Sequence, residues 1–273
     1  MARATGARRR APTSVLLSIL LAILLAVAPR VARAQDPFEI QVYDSETAPP
    51  LEAGLEIHAN YFGPQTGAMS PALAPLTSQV FHLTFEPHLG LTDWAEVGGY
   101  LQTIVRSDGS YDFAGAKLRF KARGSQDSSA FAARPTWPPS RRGTRAYSES
   151  PFGAELRPIV DAWFGRAYLS VNPILDFDLE GSLAGRPQLE PAAKAEVMVL
   201  EERLGLGVEY YAAIGPIDEP LEVSQQVHRL FGVLDLGHVP AGRLQLDFNL
   251  GVGHDLAAGG QWIFKSIIGV GPR

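Results

Sequence analysis

The chain of 273 residues contains no cysteine, so it has neither a disulfide framework nor a thiolate for catalysis or metal binding. It also lacks a GxSxG elbow, a P-loop and an HExxH motif. Runs with helical periodicity are scarce, whereas 27 glycines and 21 prolines are spread along the chain. These absences argue against the common hydrolase, nucleotide and metalloprotease sites, and they favour an all-β fold.

Residues 1–34 have the pattern of a cleaved signal peptide. Arginines at positions 3 and 8–10 precede an apolar run, residues 15–27, and Ala32-Arg33-Ala34 gives a small-x-small cleavage site. The alternative, a membrane-anchoring helix, is disfavoured because this run is shorter than the ~20 residues that a span needs. The segment holds six arginines and no acidic residue, so residues 35–273 carry a formal net charge of −11, which argues against a nucleic-acid partner.

Residues 79–105 contain the clearest strand hairpin. Apolar side chains recur at every second position on both sides of the turn Leu91-Thr92-Asp93, with polar side chains between them. Each arm has about ten residues, which is the length that a tilted strand needs to cross a bilayer. Strands of soluble proteins more often have about five or six residues.

The same alternation recurs along the chain and predicts eleven strands in all. Beyond the hairpin they are residues 54–62, 112–122, 155–164, 167–178, 189–200, 204–213, 227–237, 243–253 and 261–270. Antiparallel parity requires a twelfth strand within the irregular stretch 123–150, where Ser128–Ala133 is the candidate. We expect a basic loop around Arg141, Arg142 and Arg145 to follow it. The alternative is that this stretch contains no strand.

Short connections alternate with longer ones, as periplasmic turns and outside loops do in outer-membrane barrels. The sequence therefore predicts an all-β fold, a single antiparallel up-and-down transmembrane β-barrel of about 12 strands over residues 52–273. Residues 35–51 are expected to form a periplasmic lead-in, with a plug at the base of the barrel as the alternative. A soluble exported β-sandwich is the competing fold.

Four predicted strands contain a polar residue followed by proline. These dipeptides are Glu86-Pro87, Arg157-Pro158, Asn172-Pro173 and Glu190-Pro191. Proline removes a ladder hydrogen bond, so we expect bends or strand ends at these sites. The alternative interpretation is that they mark a ring of polar side chains in the lumen.

If the apolar face meets lipid, the polar face lines the lumen. The lumen-lining candidates carry both signs of charge and are Glu56, Glu86, Glu96, Lys117, Arg119, Lys121, Arg157, Asp161, Asn172, Asp176, Glu190, Lys194, Glu196, Glu209, Asp247 and Lys265. A 12-strand barrel is wider than the ~8-strand type that side chains alone fill. This favours a narrow, partly occluded channel, with a lumen filled by ion pairs as the alternative.

Several segments resemble a family of proteobacterial outer-membrane barrels that are described as transporters and are similar to the barrels of the phenol meta-degradation pathway. They are PFEIQVYDSETAPP, FEPHLGLTDWAEVGGYLQ, GAKLRFKAR, LEPAAKAEV and LGLGVEYYAAIGPI. The resemblance implies a barrel in the bacterial outer membrane without enzymatic activity, passing small solutes that include apolar or aromatic ones. Its partners would be outer-membrane lipid, the barrel-assembly machinery and an unknown small solute. The C-terminus lacks the terminal aromatic residue that this machinery usually reads.

No catalytic, cofactor-binding or metal-binding residue is predicted. His82 and His88 share a strand face but lie about 20 Å apart along it, so they cannot bind one metal ion together. A Ser/His hydrolase in the barrel wall is an open alternative, since His58, His82 and His228 fall in predicted strands. A plugged structural or binding barrel without transport is the main alternative to the channel.

Overall fold

The computed structural model describes residues 38–64, 79–124, 129–137, 152–181, 183–200, 203–256 and 260–273. The expected signal peptide and the basic loop around Arg141, Arg142 and Arg145 lie outside these ranges. The described residues form fifteen strands and one 3-10 turn at Val223–Gln225. None of their helical segments has the length and apolarity to cross a membrane.

The strands, in chain order, are β1 Ala53–Phe62, β2 Val80–Thr92, β3 Ala95–Arg106, β4 Tyr111–Arg123, β5 Ser129–Trp137, β6 Gly153–Phe164, β7 Ala167–Asn172, β8 Leu175–Asp178, β9 Pro187–Leu189, β10 Ala192–Leu200, β11 Leu204–Ala213, β12 Gly215–Pro216, β13 Val227–Ala241, β14 Leu244–Asp255 and β15 Trp262–Pro272. Twelve of them form a closed antiparallel ring. Strands β1 to β7 pair in succession, followed by β10, β11, β13, β14 and β15. The ring closes between β1 and β15, from Leu55 opposite Val270 to Phe62 opposite Ile263. The predicted 12-strand barrel is confirmed.

Strand β5 lies where antiparallel parity requires the twelfth strand. It pairs with β4 on one side and β6 on the other, and it continues beyond the predicted Ala133 to Trp137. Its inward residues Ala130 and Ala132 are buried. Both are small and apolar, so the sequence shows little alternation between polar inward positions and apolar outward positions in this strand.

Strand β13 is longer than predicted. It continues to Ala241 through an irregularity between Leu236 and Val239, where His238 has a φ of 59°. The predicted end of this strand at residue 237 is therefore wrong. A two-residue turn at Gly242-Arg243 joins β13 to β14, and Gly242 has a φ of 70°. Glycine suits this position because it adopts a positive φ without steric cost.

The proline dipeptides lie at two kinds of site. Pro87 and Pro158 are inside continuous strands, whereas Pro173 separates β7 from β8 and Pro191 separates β9 from β10. The strand registers on either side set Pro158, Pro173 and Pro191 opposite one another on three adjacent strands. The missing amide donors are thus concentrated in one patch of the wall.

The outer surface of the barrel is apolar. Leu101, Leu118, Val208 and Leu250 are between 44 % and 51 % exposed in the middle of their strands. Aromatic side chains are exposed at both ends of the barrel. Trp94 and Trp163 lie at the short-turn end, and Tyr111 and Trp262 lie at the end with the longer loops. An apolar band between two aromatic girdles is typical of barrels that span a bilayer.

Candidate functional site in the barrel lumen

Residues 38–50, here called the lumen segment, run through the interior of the barrel. Thr84 on β2 donates a hydrogen bond to the carbonyl of Phe38 (3.1 Å), while Asn172 on β7 accepts one from the Tyr43 amide (2.7 Å). Because β2 and β7 are far apart in the ring, the segment must lie between them. The sequence predicted a periplasmic lead-in over residues 35–51, with a plug as the alternative, and residues 38–48 lie inside the barrel.

The first part of the lumen segment is held by apolar contacts. Ile40 is fully buried in a cluster with Phe62, Ile174, Tyr211 and Ile263, among others. These side chains come from four strands or strand breaks around the wall. Burial of an aliphatic side chain of this size contributes about 1.5–3 kcal/mol. Ile40 therefore anchors this part of the segment in the lumen.

Tyr43 is the centre of the polar contacts. Its carbonyl accepts hydrogen bonds from Ser170 Oγ (2.7 Å) and Asn172 Nδ2 (3.1 Å). The Arg157 guanidinium lies 4.2 Å from its ring centroid, which is cation–π distance. Its hydroxyl contacts Tyr100 on β3 through a hydrogen bond. The main chain of Tyr43 is thus bound to β7, while its side chain is bound to β3.

The next residues of the lumen segment bond to charged wall residues. Ser45 donates to both carboxylate oxygens of Asp161, from its amide at 2.7 Å and its hydroxyl at 2.8 Å. Lys121 Nζ lies 3.1 Å from Asp44 Oδ1, and the Ala48 amide donates to Glu96 at 2.8 Å. Hydrogen bonds to charged groups contribute about 1.5–3 kcal/mol each.

The lumen segment leaves the barrel at the short-turn end, across Gly90. Pro50 forms a parallel bridge with Gly90. A Cβ added at Gly90 would lie 2.0 Å from the Pro49 carbonyl oxygen and 2.4 Å from that of Ala48. Glycine is required there because the two backbones approach so closely.

The structure places most of the lumen-lining candidates in interior ion pairs. Arg119 bridges Glu86 (2.8 Å) and Glu96 (2.9 Å). Lys194 contacts Glu196 at 2.6 Å and Asp235 at 2.9 Å. Arg157 pairs with Glu155, and Lys265 pairs with Glu209. Charged groups of both signs are therefore brought together in pairs within the wall.

The other candidates fall into four groups. Lys121, Asp161 and Asn172 bind the lumen segment. Lys117, Asp176 and Glu190 are half-buried. Asp247 lies close to the short-turn end, where it accepts a hydrogen bond from the His238 amide (2.8 Å). Glu56 accepts a hydrogen bond from Gln41 (3.0 Å) and lies near His58.

Sequence reasoning missed several interior residues. Glu39 pairs with Arg134 and Arg157, and Tyr43 packs in the centre of the lumen. The lead-in has no periodicity that would indicate a path through the barrel. Arg134 lies on β5, whose alternation is weak. The one available signal was Phe38, Ile40 and Tyr43, large apolar residues in a segment otherwise expected to be solvated.

A cavity of about 260 Å³ lies between the lumen segment and the wall. Its lining includes Tyr43, Glu46, Glu56, His88 and Lys121. The cavity is polar and partly open, so water and small ions can reach Glu56 from it.

Two outer connections are joined by an exposed ion pair. Arg186 donates hydrogen bonds to Asp218 (2.9 Å) and Glu219 (3.2 Å). The hydrogen bond from Arg186 holds the pKa of the Asp218 carboxyl below its usual value. The pair connects the loop before β9 to the loop after β12.

Comparisons with solved structures place the fold among outer-membrane barrels. The COG4313 outer membrane channel from Pseudomonas putida F1 has a TM-score of 0.50 and 14 % identity, and the match covers 86 % of this chain and 99 % of that one. The NanC porin has a TM-score of 0.49, 8 % identity and coverages of 80 % and 99 %. The CymD monoaromatic hydrocarbon channel has a TM-score of 0.44, 7 % identity and coverages of 82 % and 88 %.

No family model and no curated protein sequence matches the chain. At 14 % identity the likeness to the COG4313 channel concerns the fold. The more specific resemblance to the phenol meta-degradation barrels stays a prediction.

Proposed function

We propose that this chain is a channel of the bacterial outer membrane for small solutes, and that the lumen segment closes it. The observation that carries the proposal is how the lumen is filled. Its centre is occupied by a segment that enters from one end of the barrel and is held by side-chain contacts, whereas the wall itself forms a complete ring. Such a segment can leave the lumen without any change in the wall.

The channel that would open is lined by charged and aromatic side chains. Withdrawal of the lumen segment would expose Asp161, Lys121 and Asn172, together with Tyr100 and Tyr211. Aromatic side chains give an apolar solute surfaces to contact, and the charged pairs favour passage of water and ions. Passage of aromatic solutes is part of the proposal and rests on the family resemblance.

The test is planar-bilayer conductance of the purified chain and of a variant lacking residues 38–47. We expect low conductance from the full chain, because charged hydrogen bonds hold the segment, and a several-fold increase from the variant. Heat-modifiable gel migration of both proteins checks that the ring is folded. A folded variant with no more conductance than the full chain would contradict the channel.

The second candidate is a binding or structural barrel whose lumen stays filled. It is favoured by the number of strands that the lumen segment contacts, which include β2, β3 and β6. Uptake of labelled small solutes into liposomes by the full chain distinguishes the two, because a barrel that the lumen segment never leaves passes none of them.

A further inference from the structure

Glu56, His58 and Glu86 form a compact group in the wall that has no role in the proposed channel. Glu56 and His58 alternate on the inward face of β1, and the register sets Glu56 opposite Glu86 on β2. His58 Nε2 lies 3.1 Å from Glu86 Oε2 and 3.4 Å from Glu56 Oε2. One oxygen from each carboxylate and one nitrogen of the imidazole lie within 4.8 Å of one another.

The spacing of these atoms matches the coordination shell of a small divalent metal ion. Zinc binds imidazole nitrogen and carboxylate oxygen at about 2.0–2.2 Å, so neighbouring ligands of a tetrahedral site lie about 3.3–3.6 Å apart. Both distances from His58 Nε2 are within a few tenths of an ångström of this range. We propose that Glu56, His58 and Glu86 bind a divalent transition-metal ion such as Zn²⁺, with water as a further ligand.

The surroundings of the group hold its carboxylates in place. Arg119 Nη1 lies 2.8 Å from the other oxygen of Glu86 and leaves Oε2 directed at His58. Gln41 Nε2 donates to Glu56 Oε2 at 3.0 Å, the same oxygen that faces His58. Carboxylate ligands of metals are commonly oriented by such hydrogen bonds. His58 and Glu86 are fully buried, so neither side chain can turn into solvent.

Charge and access also suit a cation. Arg119 is shared between Glu86 and Glu96, so the two proposed carboxylate ligands are not fully compensated by their neighbours. Glu56 lines the polar cavity next to the lumen segment. A hydrated ion can therefore arrive through that cavity and exchange water for protein ligands.

A proton is the competing occupant of the same space. A protonated His58 would pair with the two carboxylates, but a single N–H group directs its proton at one acceptor at a time. An ion placed between the three groups contacts all of them at once. A metal titration distinguishes the two occupants, because a group that holds only a proton binds no metal ion.

The test is a titration of the purified, untagged chain in detergent with Zn²⁺ by calorimetry and with Co²⁺ by visible absorption, which reports tetrahedral coordination directly. We expect one ion per chain. His58→Gln and Glu86→Gln should each weaken binding at least tenfold. His82→Gln is the matched control, because His82 is also fully buried on the inward face of β2 but lies outside the group. It should leave the affinity unchanged.

Heat-modifiable migration establishes that each variant is folded. If His58→Gln fails to fold, Glu56→Gln takes its place, since Glu56 is half-buried beside the cavity. The proposal is overturned if the folded chain binds no stoichiometric metal. It is equally overturned if binding survives loss of a proposed ligand, or if His82→Gln weakens binding as much as the ligand variants do. None of these results depends on whether the barrel conducts.

Discussion

Asn172 forms two hydrogen bonds to the backbone of the lumen segment. Its amide group accepts from the Tyr43 amide and donates to the Tyr43 carbonyl. Asn172→Ala removes both hydrogen bonds, which together contribute roughly 1–3 kcal/mol. We expect about tenfold more frequent channel openings in single-channel recordings, since 1.4 kcal/mol corresponds to a factor of about ten.

The matched control for this experiment is Asn249→Ala. Asn249 also faces the lumen, but its amide donates to Asp235 (2.8 Å) and Glu209 (3.3 Å) rather than to the lumen segment. Its loss should leave the opening frequency near that of the unmodified chain. Equal effects of both substitutions would show that general loosening of the wall, and not release of Tyr43, governs opening.

Gly90 provides a second test at the level of single residues. Because an added Cβ would overlap the Pro49 and Ala48 carbonyls, Gly90→Ala should lower the free energy of unfolding by about 1–3 kcal/mol. A urea titration of the barrel in lipid vesicles measures this change. Gly232→Ala is the control, since a Cβ at Gly232 has no heavy atom within 4 Å among the described residues, and unchanged stability of Gly90→Ala would mean that the segment does not cross there.

At the scale of elements, the position of the lumen segment can be tested by a cross-link. The chain has no cysteine, so the double substitution Ser45→Cys and Asp161→Cys creates a single possible disulfide. Ser45 and Asp161 are in direct contact, and we expect the pair to oxidise within one molecule, as measured by thiol titration and gel migration. The oxidised protein should show fewer openings than its reduced form.

The control pairs Ser45→Cys with Asp247→Cys. Asp247 is also a wall residue with a polar partner, but that partner is His238 in the wall and not the lumen segment. This pair should keep two free thiols under the same conditions. Efficient cross-linking in the control would mean that the segment samples many positions in the lumen.

The strands were predictable because a bilayer-spanning wall repeats one physical rule at every second residue. Residues 243–253, for example, alternate without exception, and β14 lies there. The lumen segment follows no such rule, because its neighbours differ from one residue to the next. Its path depends on Asn172, Asp161 and Glu96, which are brought together by closure of the ring and not by their spacing in sequence.

The Glu56, His58 and Glu86 group shows the same limit. Glu56 and His58 were visible as neighbours on one strand face, but their distance from Glu86 depends on the register of β1 and β2. Residues 63–79 separate these strands, and a connection of that length leaves the register undetermined. The pairing of Glu56 with Glu86 therefore could not be derived before the structure.

For the whole molecule, the apolar outer surface sets the conditions of solubility. Among the described residues, thirty-three large hydrophobic side chains are exposed, and a soluble monomer rarely presents apolar patches larger than a few hundred Å². We expect the chain without residues 1–34 to aggregate in plain buffer and to be monodisperse in detergent, as measured by light scattering. A monodisperse sample without detergent or lipid would contradict the membrane-spanning barrel.

The same surface gives a quantitative prediction. Leu250 is 44 % exposed on the outer face of β14, in the middle of the strand, so Leu250→Arg should cost about 2–4 kcal/mol, the cost of a cation near the bilayer midplane. Unfolding titrations in vesicles measure the loss. Leu244→Arg, at the short-turn end of β14, should cost clearly less, and equal losses would mean that the bilayer does not cover the barrel as proposed.

The connectivity of the lumen segment has a consequence for the order of assembly. The segment continues directly into β1, and β1 meets β15, the last strand of the chain, where the ring shuts. A ring that shut before the segment was in place would leave Asp161 and Glu96 of the wall without their hydrogen bonds to the segment until it moved in. The simplest course is that residues 38–50 are wrapped while the wall is still an open sheet, so that the final eight pairs between the first and last strands enclose them.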